Sequence, residues 1–391
     1  MLKIPPEAGE RGIGGEVEKA SHPKVATLHI GANCIMKRRY LLILILLFIF
    51  SGCGKRIKLP TNIPQPGAVT TDTTYIPIGL GWTEAAGLPF DGPQDVHVGF
   101  DGFVYIADTG NDRIVKFDQA GNFVDQYEGV KQPRSVSQDR LLRLLVTGGN
   151  TIYVKLKDEQ MFDSLYAGAD IYDTTIIVRQ DTIFIDSVIF DTTYNVDTTA
   201  TSYKAIAADP RPSSGYATYF VCDYTRDQIN RFIFYEPNEL YDLGAAIPPG
   251  FELSKTKYPT GVFTYLSGDK FRFLFCQALS YFSVQLLDGN DFNPLIPRTD
   301  SSQIYWQGTF GLAEDVAVDE FENIFVVDSE KSQVHKFSRN GVHILSFGKE
   351  GTGDEEFKNP KGIAYANKIV YVADTGNNRI LRFVLSTDFP H

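Results

Sequence analysis

The amino-acid sequence predicts an all-β fold, and its composition and its repeats carry this prediction. The 391 residues include 28 Phe and 20 Tyr but only 3 Met. Aromatic and β-branched side chains suit the pleated, half-buried surface of a sheet. Short apolar segments that end in Asp also recur along the chain. Hydrophobic residues make up 43% and charged residues 22% of the sequence, which is typical of a globular protein.

The charge balance argues against nucleic acid as a partner. The formal net charge is -11 at pH 7, from 37 Lys and Arg against 48 Asp and Glu. A nucleic-acid-binding surface needs clustered Lys and Arg to displace counterions from phosphates. The sequence contains no basic patch with interleaved aromatic residues. We therefore expect no nucleic-acid ligand.

The N-terminal region has the pattern of a signal peptide. Met36 and the basic residues at 37–39 precede an apolar run from Tyr40 to Phe50, which is followed by Ser51-Gly52-Cys53. The run is shorter than the roughly 20 apolar residues that span a bilayer, so it indicates a cleaved signal at residues 36–52. Its end resembles the lipobox of bacterial lipoproteins, although Phe50 stands where Leu is commoner. The resemblance implies that Cys53 carries the lipid, and an ordinary secretory signal is the alternative.

This interpretation extends to the flanking segments. Residues 1–35 lie upstream of the signal, so we interpret Met36 as the true start and residues 1–35 as an artefact of the gene model. Residues 53–73, rich in Pro and Thr, are interpreted as a tether. Two or more acyl chains give stable anchoring. We therefore expect an extracytoplasmic protein of the cell envelope, with its lipid anchor in a bacterial membrane.

The rest of the chain, residues 74–391, contains an internal repeat. Segments 104–114 and 370–380 align without gaps and are identical at most positions. Each is an apolar strand that ends in Asp, then a turn with Gly, then a second strand, which is the pattern of a β-hairpin. Other copies have the same pattern, with Asp223, Asp328, Thr147 and Gln277 at the position of the Asp.

A short apolar stretch precedes each hairpin, and six such units can be distinguished. Their inner strands begin near residues 93, 133, 203, 259, 313 and 360. The units resemble the NHL-repeat family, whose pattern Tyr-Val-Ala-Asp-x-x-Asn-x-Arg-Ile occurs here at 371–380. The resemblance implies a six-bladed β-propeller of four-stranded antiparallel blades around a central channel.

The two ends of the repeat region predict how the ring closes. The last unit has no fourth strand of its own, whereas a strand-like segment at 75–82 precedes the first unit. We therefore predict that the N-terminal strand completes the last blade, which removes open sheet edges. Residues 157–202 are surplus to the repeat and are predicted to form a hairpin insertion in blade two. Docking, Ca²⁺ binding by its carboxylates and a solvated extension are the alternatives for this insertion.

The recurring polar residues are interpreted as structural. The acidic set comprises Asp108, Asp223, Asp328 and Asp374, and two of its members are followed five residues later by Arg113 and Arg379. A group that is required in every blade is expected to accept hydrogen bonds from turn N–H groups rather than to catalyse a reaction. Cys222 and Cys276 occupy equivalent strand positions in neighbouring units, and we expect them to be buried and unpaired.

Candidate catalytic or metal-binding residues lie on the inner strands. Side chains alternate between the two faces of a strand, so every second residue of an inner strand points toward the axis. By this criterion Asp95, His97 and Asp315 face the channel, where they could hold a divalent metal or polarise a substrate. One His and two Asp form a small ligand set, so a solvated polar channel is the simpler interpretation. We expect no other cofactor.

Motifs of common enzyme classes are absent from the sequence. It contains no Gly-x-Ser-x-Gly, no phosphate-binding loop, no GxGxxG and no zinc-type Cys/His cluster. The leading hypothesis is a non-enzymatic binding or scaffold module for a protein, peptide or glycan. The alternative is a metal-dependent lyase or hydrolase with its site at the central channel. A purely structural envelope component is the third hypothesis.

Overall fold

The computed structural model describes residues 73–157, 159, 161–167, 201–212, 216–235 and 239–388. The upstream segment, the signal peptide, Cys53 and nearly all of the tether lie outside these residues. Most of the surplus segment 157–202 also lies outside them. The described residues belong to one unit, Thr71–His391. Within them, no helix has the length and apolarity needed to cross a membrane.

Six antiparallel sheets follow one another along the chain as the blades of a propeller. The chain starts with β1 (Tyr75–Pro77) and a small hairpin of β2 (Glu84–Ala85) and β3 (Leu88–Pro89). Blade one contains β4 (Pro93–Val98), β5 (Val104–Asp108), β6 (Arg113–Phe117) and β7 (Phe123–Tyr127). Blade two contains β8 (Pro133–Gln138), β9 (Leu144–Gly148), β10 (Thr151–Lys155) and β11 (Asp163–Ala167). Blade three contains β12 (Tyr203–Ala208), β13 (Ala217–Asp223), β14 (Gln228–Tyr235) and β15 (Glu239–Ile247).

The other three blades continue in the same order. Blade four contains β16 (Pro259–Ser267), β17 (Lys270–Gln277) and β18 (Val284–Asp288). Blade five contains β19 (Ala313–Val318), β20 (Ile324–Asp328), β21 (Gln333–Phe337) and β22 (His343–Phe347). Blade six contains β23 (Gly362–Ala366), β24 (Ile369–Asp374) and β25 (Arg379–Leu385) together with β1. The described helical elements are 3₁₀ turns at Thr109–Asn111, Gln303–Tyr305, Thr375–Asn377 and Ser386–Asp388.

This architecture confirms the all-β, six-bladed fold class, with two local differences from the expected pattern. Blade four has three strands, and an isolated bridge between Leu287 and Pro294 stands in place of a fourth. Pro cannot donate to a strand ladder, which explains why the pairing stops there. Residues 163–167, at the start of the surplus segment, form the fourth strand of blade two rather than an insertion.

The N-terminal strand closes the ring, as the sequence predicted. In β1, Tyr75 pairs with Leu385 and Pro77 with Phe383, so that β1 becomes the outer strand of blade six. The Tyr75 ring is buried and stacks on Phe347, with ring centroids 4.8 Å apart. The two ends of the described chain are thereby joined in one sheet.

Apolar side chains hold the blades together. The six clusters of buried hydrophobic residues each combine residues of two neighbouring blades, so there is one cluster for each of the six blade junctions. At the junction of blades five and six, for example, Phe325 and Val327 pack with Ile363 and Val372. The abundance of Phe, Tyr and Val that predicted strands therefore supplies the packing between sheets.

The recurring Asp residues bind the loops that lead into the inner strands. Asp108 accepts the Asp91 N–H at 2.8 Å through Oδ1, and the Asn111 amide and Arg113 Nε at 2.8 Å through Oδ2. Arg113 also donates to the Leu88 carbonyl at 3.1 Å. Loop and turn are thus held by one carboxylate at the end of the second strand of the blade.

The same arrangement recurs in other blades with some variation. In blade six, Asp374 accepts the Lys358 N–H and Arg379 Nε, each at 2.7 Å. In blade five, Asp328 accepts the Leu312 N–H at 3.0 Å. The contacts differ in the weaker repeats. Asp223 accepts the Arg226 N–H at 3.2 Å, and Gln277 Oε1 accepts the Lys257 N–H at 2.7 Å. The Thr147 hydroxyl has no partner within the described ranges.

We expect Tyr75→Ala to lower the free energy of unfolding by about 3 to 5 kcal/mol, because it empties a buried aromatic site in the closing strand. Tyr281 is 70% exposed, so Tyr281→Ala serves as the control with an expected loss below about 0.5 kcal/mol. Urea unfolding of the full chain measures both values. Equal effects of the two substitutions would show that β1 does not contribute to the ring.

Candidate functional site

The central channel is lined by the six inner strands β4, β8, β12, β16, β19 and β23, each of which contacts the next around the axis. Two cavities lie along it. The upper cavity, of about 30 Å³, lies at the end where the inner strands begin, and the lower cavity, of about 180 Å³, lies toward their other end. Asp95, Ser135 and Asp315 line both cavities and therefore mark the layer between them.

The upper cavity is surrounded by the second residue of every inner strand, counted in blade six from Pro360, so that Lys361 directly precedes β23. We call this set the entrance ring, and it comprises Gln94, Arg134, Lys204, Thr260, Glu314 and Lys361. In blade one, Pro93 pairs with Asp108 and Asp95 with Ala107, so that Gln94 is the extra residue of a β-bulge. The same register shift occurs in blades two to five. A bulge redirects a side chain, which explains why the second and third residues of these strands both reach the channel.

The polar third residues of the inner strands bind the next blade. Asp95 of blade one accepts the Val136 N–H of blade two at 2.8 Å. Ser135 Oγ of blade two accepts the Ile206 N–H of blade three at 3.3 Å. Asp315 of blade five accepts the Ile363 N–H of blade six at 2.9 Å. These side chains therefore connect neighbouring blades at the axis.

Glycine occupies the third position where a neighbouring Asp needs the space. A Cβ on Gly362 would lie 2.6 Å from the Asp95 Cα, and one on Gly261 would lie 2.8 Å from the Asp315 Cα. Such distances are far inside van der Waals contact, so a larger residue would push the blades apart. The small residues and the carboxylates of this layer are therefore two parts of one packing arrangement.

Burial changes the ionisation of these groups. It raises the pKa of Asp95 to about 6. Burial, together with the charge of Asp95, also raises the pKa of Asp315 well above its ordinary value. Burial lowers the pKa of His97 to about 4, so its imidazole is neutral at physiological pH. Neutral His97 accepts the Gln138 N–H of blade two through Nε2 at 3.3 Å.

The structure thus places Asp95, His97 and Asp315 along the lower cavity, as the period-2 argument suggested. Each of them is bound to a backbone N–H of the following blade. In the part of the chain that the structure describes, no group of three His, Cys, Asp or Glu residues has the arrangement of a metal site. Asp95, His97 and Asp315 therefore share a cavity without forming a ligand set.

The entrance ring carries more positive than negative charge. Its members include the cations Arg134, Lys204 and Lys361 and the carboxylate of Glu314. Lys361 Nζ pairs with Glu314 Oε1 at 3.1 Å. Arg134 donates to Ser202 Oγ at 2.7 Å, which is a neutral acceptor. These long side chains are the groups of the channel that a ligand would meet first.

Sequence reasoning missed the entrance ring. Strict alternation assigns the second residue of each inner strand to the face away from the axis, and the bulge reverses that assignment. One signal was available, because the second position is polar in all six units. Cys222 and Cys276 are buried and free, as expected.

Comparison with known proteins supports the fold. Residues 314–391 match a family model described as a 6-bladed beta-propeller. No curated protein matches the sequence.

Solved structures with low sequence identity share the architecture. A gluconolactonase from Xanthomonas campestris is 10% identical, with a TM-score of 0.50 over 81% of this chain and 90% of that one. A protein of unknown function from Bacteroides thetaiotaomicron is 14% identical, with a TM-score of 0.49 over 77% and 71% of the two chains. A luciferin-regenerating enzyme is 12% identical, with a TM-score of 0.49 over 80% and 95%. At 10% identity, the likeness to the gluconolactonase concerns the fold alone.

We expect Asp315→Asn to change how stability depends on pH. The raised pKa means that folded Asp315 holds a proton over a pH range in which the unfolded chain has lost it. Its contribution to the free energy of unfolding therefore falls as pH rises above about 4. Asn keeps an acceptor for the Ile363 N–H but cannot ionise. The variant should match or exceed the stability of the wild type at pH 8 and lose that advantage toward pH 4.

Asp118→Asn is the control of opposite sign for this measurement. Hydrogen bonds from Asn122 lower the pKa of Asp118, so its contribution is present above about pH 4 and is lost as the pH falls. Urea unfolding at several pH values measures both variants. A stability difference between wild type and Asp315→Asn that stays constant with pH would contradict the interpretation of Asp315 as a buried, protonated acceptor.

Proposed function

We propose that the protein is a non-enzymatic binding or scaffold module of the cell envelope. In this proposal an NHL-type propeller, anchored by lipid at Cys53 and lying outside the cytoplasm, holds a protein, peptide or glycan at one face of the ring. One observation carries the proposal. The channel side chains that could perform acid–base or metal chemistry are bound to the backbone of the next blade.

These hydrogen bonds work against catalysis at the channel. A general base must reach the proton that it removes, and a metal ligand needs a lone pair directed at the metal. His97 Nε2 already accepts the Gln138 N–H, and Asp95 accepts backbone N–H groups through both carboxyl oxygens. Leaving a buried N–H without its acceptor costs about 1 to 3 kcal/mol. Redirecting these groups toward a substrate would therefore weaken the ring.

The entrance ring, in contrast, has the character of a binding site. Its six side chains come from six different blades and converge on one concave surface. Ligand sites are typically concave, with a few polar groups held by a rigid scaffold. Here five of the side chains begin at the bulge of their strand, and Lys361 directly precedes β23. A scaffold that is ordered before binding loses little entropy when the ligand arrives.

The metal-dependent lyase or hydrolase is the alternative. Two of the proteins that share the fold are named as enzymes, a gluconolactonase and a luciferin-regenerating enzyme. Their likeness to this chain concerns the fold, and propellers host many unrelated functions. The hydrogen bonds of Asp95, His97 and Asp315 favour the binding module.

We expect Cys53→Ala to release the protein from the membrane. Wild-type chain expressed in a bacterium should incorporate an alkyne-labelled fatty acid and partition into the detergent phase of Triton X-114. The Cys53→Ala chain should do neither, because two acyl chains provide the anchoring. Cys222→Ala is the matched control, since its thiol is buried, and it should behave like wild type. Label on the Cys53→Ala chain would refute the lipid anchor.

We also expect that the bound ligand is released chemically unchanged. Full chain in detergent is incubated with solubilised envelope extract, and bound molecules are identified by mass spectrometry. Wild type and His97→Gln should yield ligands of the same mass, because Gln retains an acceptor for the Gln138 N–H. A processed product that forms with the wild type, is absent with His97→Gln and is suppressed by a chelator would establish the enzyme instead.

A further inference from the structure

Two cations of the entrance ring have no carboxylate partner. Lys361 pairs with Glu314. Arg134 bonds to Ser202 Oγ and, at 3.5 Å, to the Tyr203 carbonyl. The Lys204 ammonium lies 5.1 Å from the centre of the Tyr224 ring. Across the described ranges, neither Arg134 nor Lys204 has an acidic group within ion-pair distance.

This arrangement is costly for the empty protein. Burial lowers the pKa of Arg134 and of Lys204, and the charges of Arg134 and Lys361 lower the pKa of Lys204 further, while the nearby charge of Glu314 raises it. Like charges that are partly buried repel each other more strongly than they would in water. The chain as a whole is acidic, with a formal net charge of -11. Cations that lack an ion-pair partner among the described residues, at the mouth of the channel of such a protein, point to an anionic ligand.

The acidic layer beneath does not neutralise these cations. Asp95 accepts the N–H groups of Val96 and Val136, and Asp315 accepts that of Ile363. The carboxyl oxygens of this layer are therefore directed at the backbone of the blades and not at the entrance ring. Burial also raises the pKa of both groups, which reduces their negative charge.

The size of the upper cavity selects among anions. It has about 30 Å³, whereas one water needs about 10 to 15 Å³ on this measure. The cavity thus accommodates about two oxygen-sized groups, which is the size of a carboxylate. The carboxylate of Asp or Glu ends a slender methylene stem that can enter such an opening. The carboxylate of a uronic acid is attached directly to a sugar ring, which is bulkier than a methylene stem.

We propose that the entrance ring binds an Asp or Glu carboxylate of an acidic peptide segment, with Arg134 and Lys204 as its cationic partners. The inference rests on the proposed function and names the ligand class of the same site. Arg can bind a carboxylate through two parallel N–H···O bonds, and Lys adds a compact charge. The carboxylate of Glu314 competes with that of the ligand, because it already pairs with Lys361 of the entrance ring.

The test is fluorescence polarisation with full-length protein in detergent. The probe is a rhodamine-labelled Gly-Ser peptide with three consecutive Glu, and the matched peptide has three Gln. The Glu peptide should bind at least tenfold more tightly. Arg134→Gln and Lys204→Gln should each weaken its binding at least tenfold. Glu314→Gln should strengthen it severalfold, a gain that misfolding cannot produce.

A charge-matched control separates local binding from general electrostatics. Lys131→Gln with Lys349→Gln also removes two positive charges, but these side chains are 80% and 71% exposed and lie outside the channel. This double variant should bind the Glu peptide like wild type. Binding that falls equally in the control and in Arg134→Gln with Lys204→Gln would overturn the site.

The remaining outcomes are distinguishable from failure of the proposed function. Equal affinity for the Glu and Gln peptides overturns the carboxylate inference. Displacement of the envelope ligand by oligogalacturonate but not by the Glu peptide assigns a glycan to the site and overturns the peptide class. If Arg134→Gln with Lys204→Gln loses the envelope ligand but the Glu peptide does not compete for it, the binding module stands without the carboxylate. Turnover of the envelope ligand refutes the binding module itself.

Discussion

The ring depends at its axis on hydrogen bonds that run from a side chain of one inner strand to the backbone of the next blade. The acceptors are Asp95, Ser135 and Asp315, and each receives an N–H that would otherwise be buried without a partner. An unpaired buried N–H is costly, so these positions are constrained by stability. This constraint decides the chemistry of the channel, because it uses the groups that would otherwise suit a catalytic or metal site.

The β-bulge turns two consecutive residues of one strand toward the channel. The third residue of the strand binds the neighbouring blade, and the second residue is redirected toward the mouth of the channel. Side chains at the second position also reach the neighbouring blade, since Thr260 Oγ1 donates to the Ala313 carbonyl at 2.7 Å and Lys361 pairs with Glu314. The second position holds side chains as different as those of Thr260, Arg134 and Glu314, while the third position holds acceptors or small residues.

The carboxylates at the ends of the second strands hold the loops around this mouth. Asp108 and Asp374 each bind a loop N–H and an Arg guanidinium. Gln277 provides the same loop contact in blade four through its amide oxygen. The loops that lead into the inner strands are thus fixed by side chains at the ends of the second strands. A loop that is ordered before binding loses little entropy when a ligand binds.

The sequence by itself determined the number of blades and the closing strand. Both are properties of a repeat that must bury the same faces in every copy and must leave no free edge. The hairpins whose first strands end in Asp108 and Asp374 could be predicted because the residues that pair in them lie close in sequence. By contrast, the absence of a fourth strand in blade four could not be predicted, because it depends on Pro294 lying opposite Leu287 in the sheet.

Only the tertiary structure decided the candidate site. The period of 2 correctly placed Asp95, His97 and Asp315 along the channel, but it could not show that their acceptor atoms meet N–H groups of another blade. It also placed Arg134 and Lys204 on the wrong face, because a bulge adds a residue that the alternation does not count. Contacts between blades join residues about 40 to 280 positions apart, such as Asp95 with Val136 and Thr375 with Pro93. A repeat pattern specifies each blade, whereas the site forms where six blades meet.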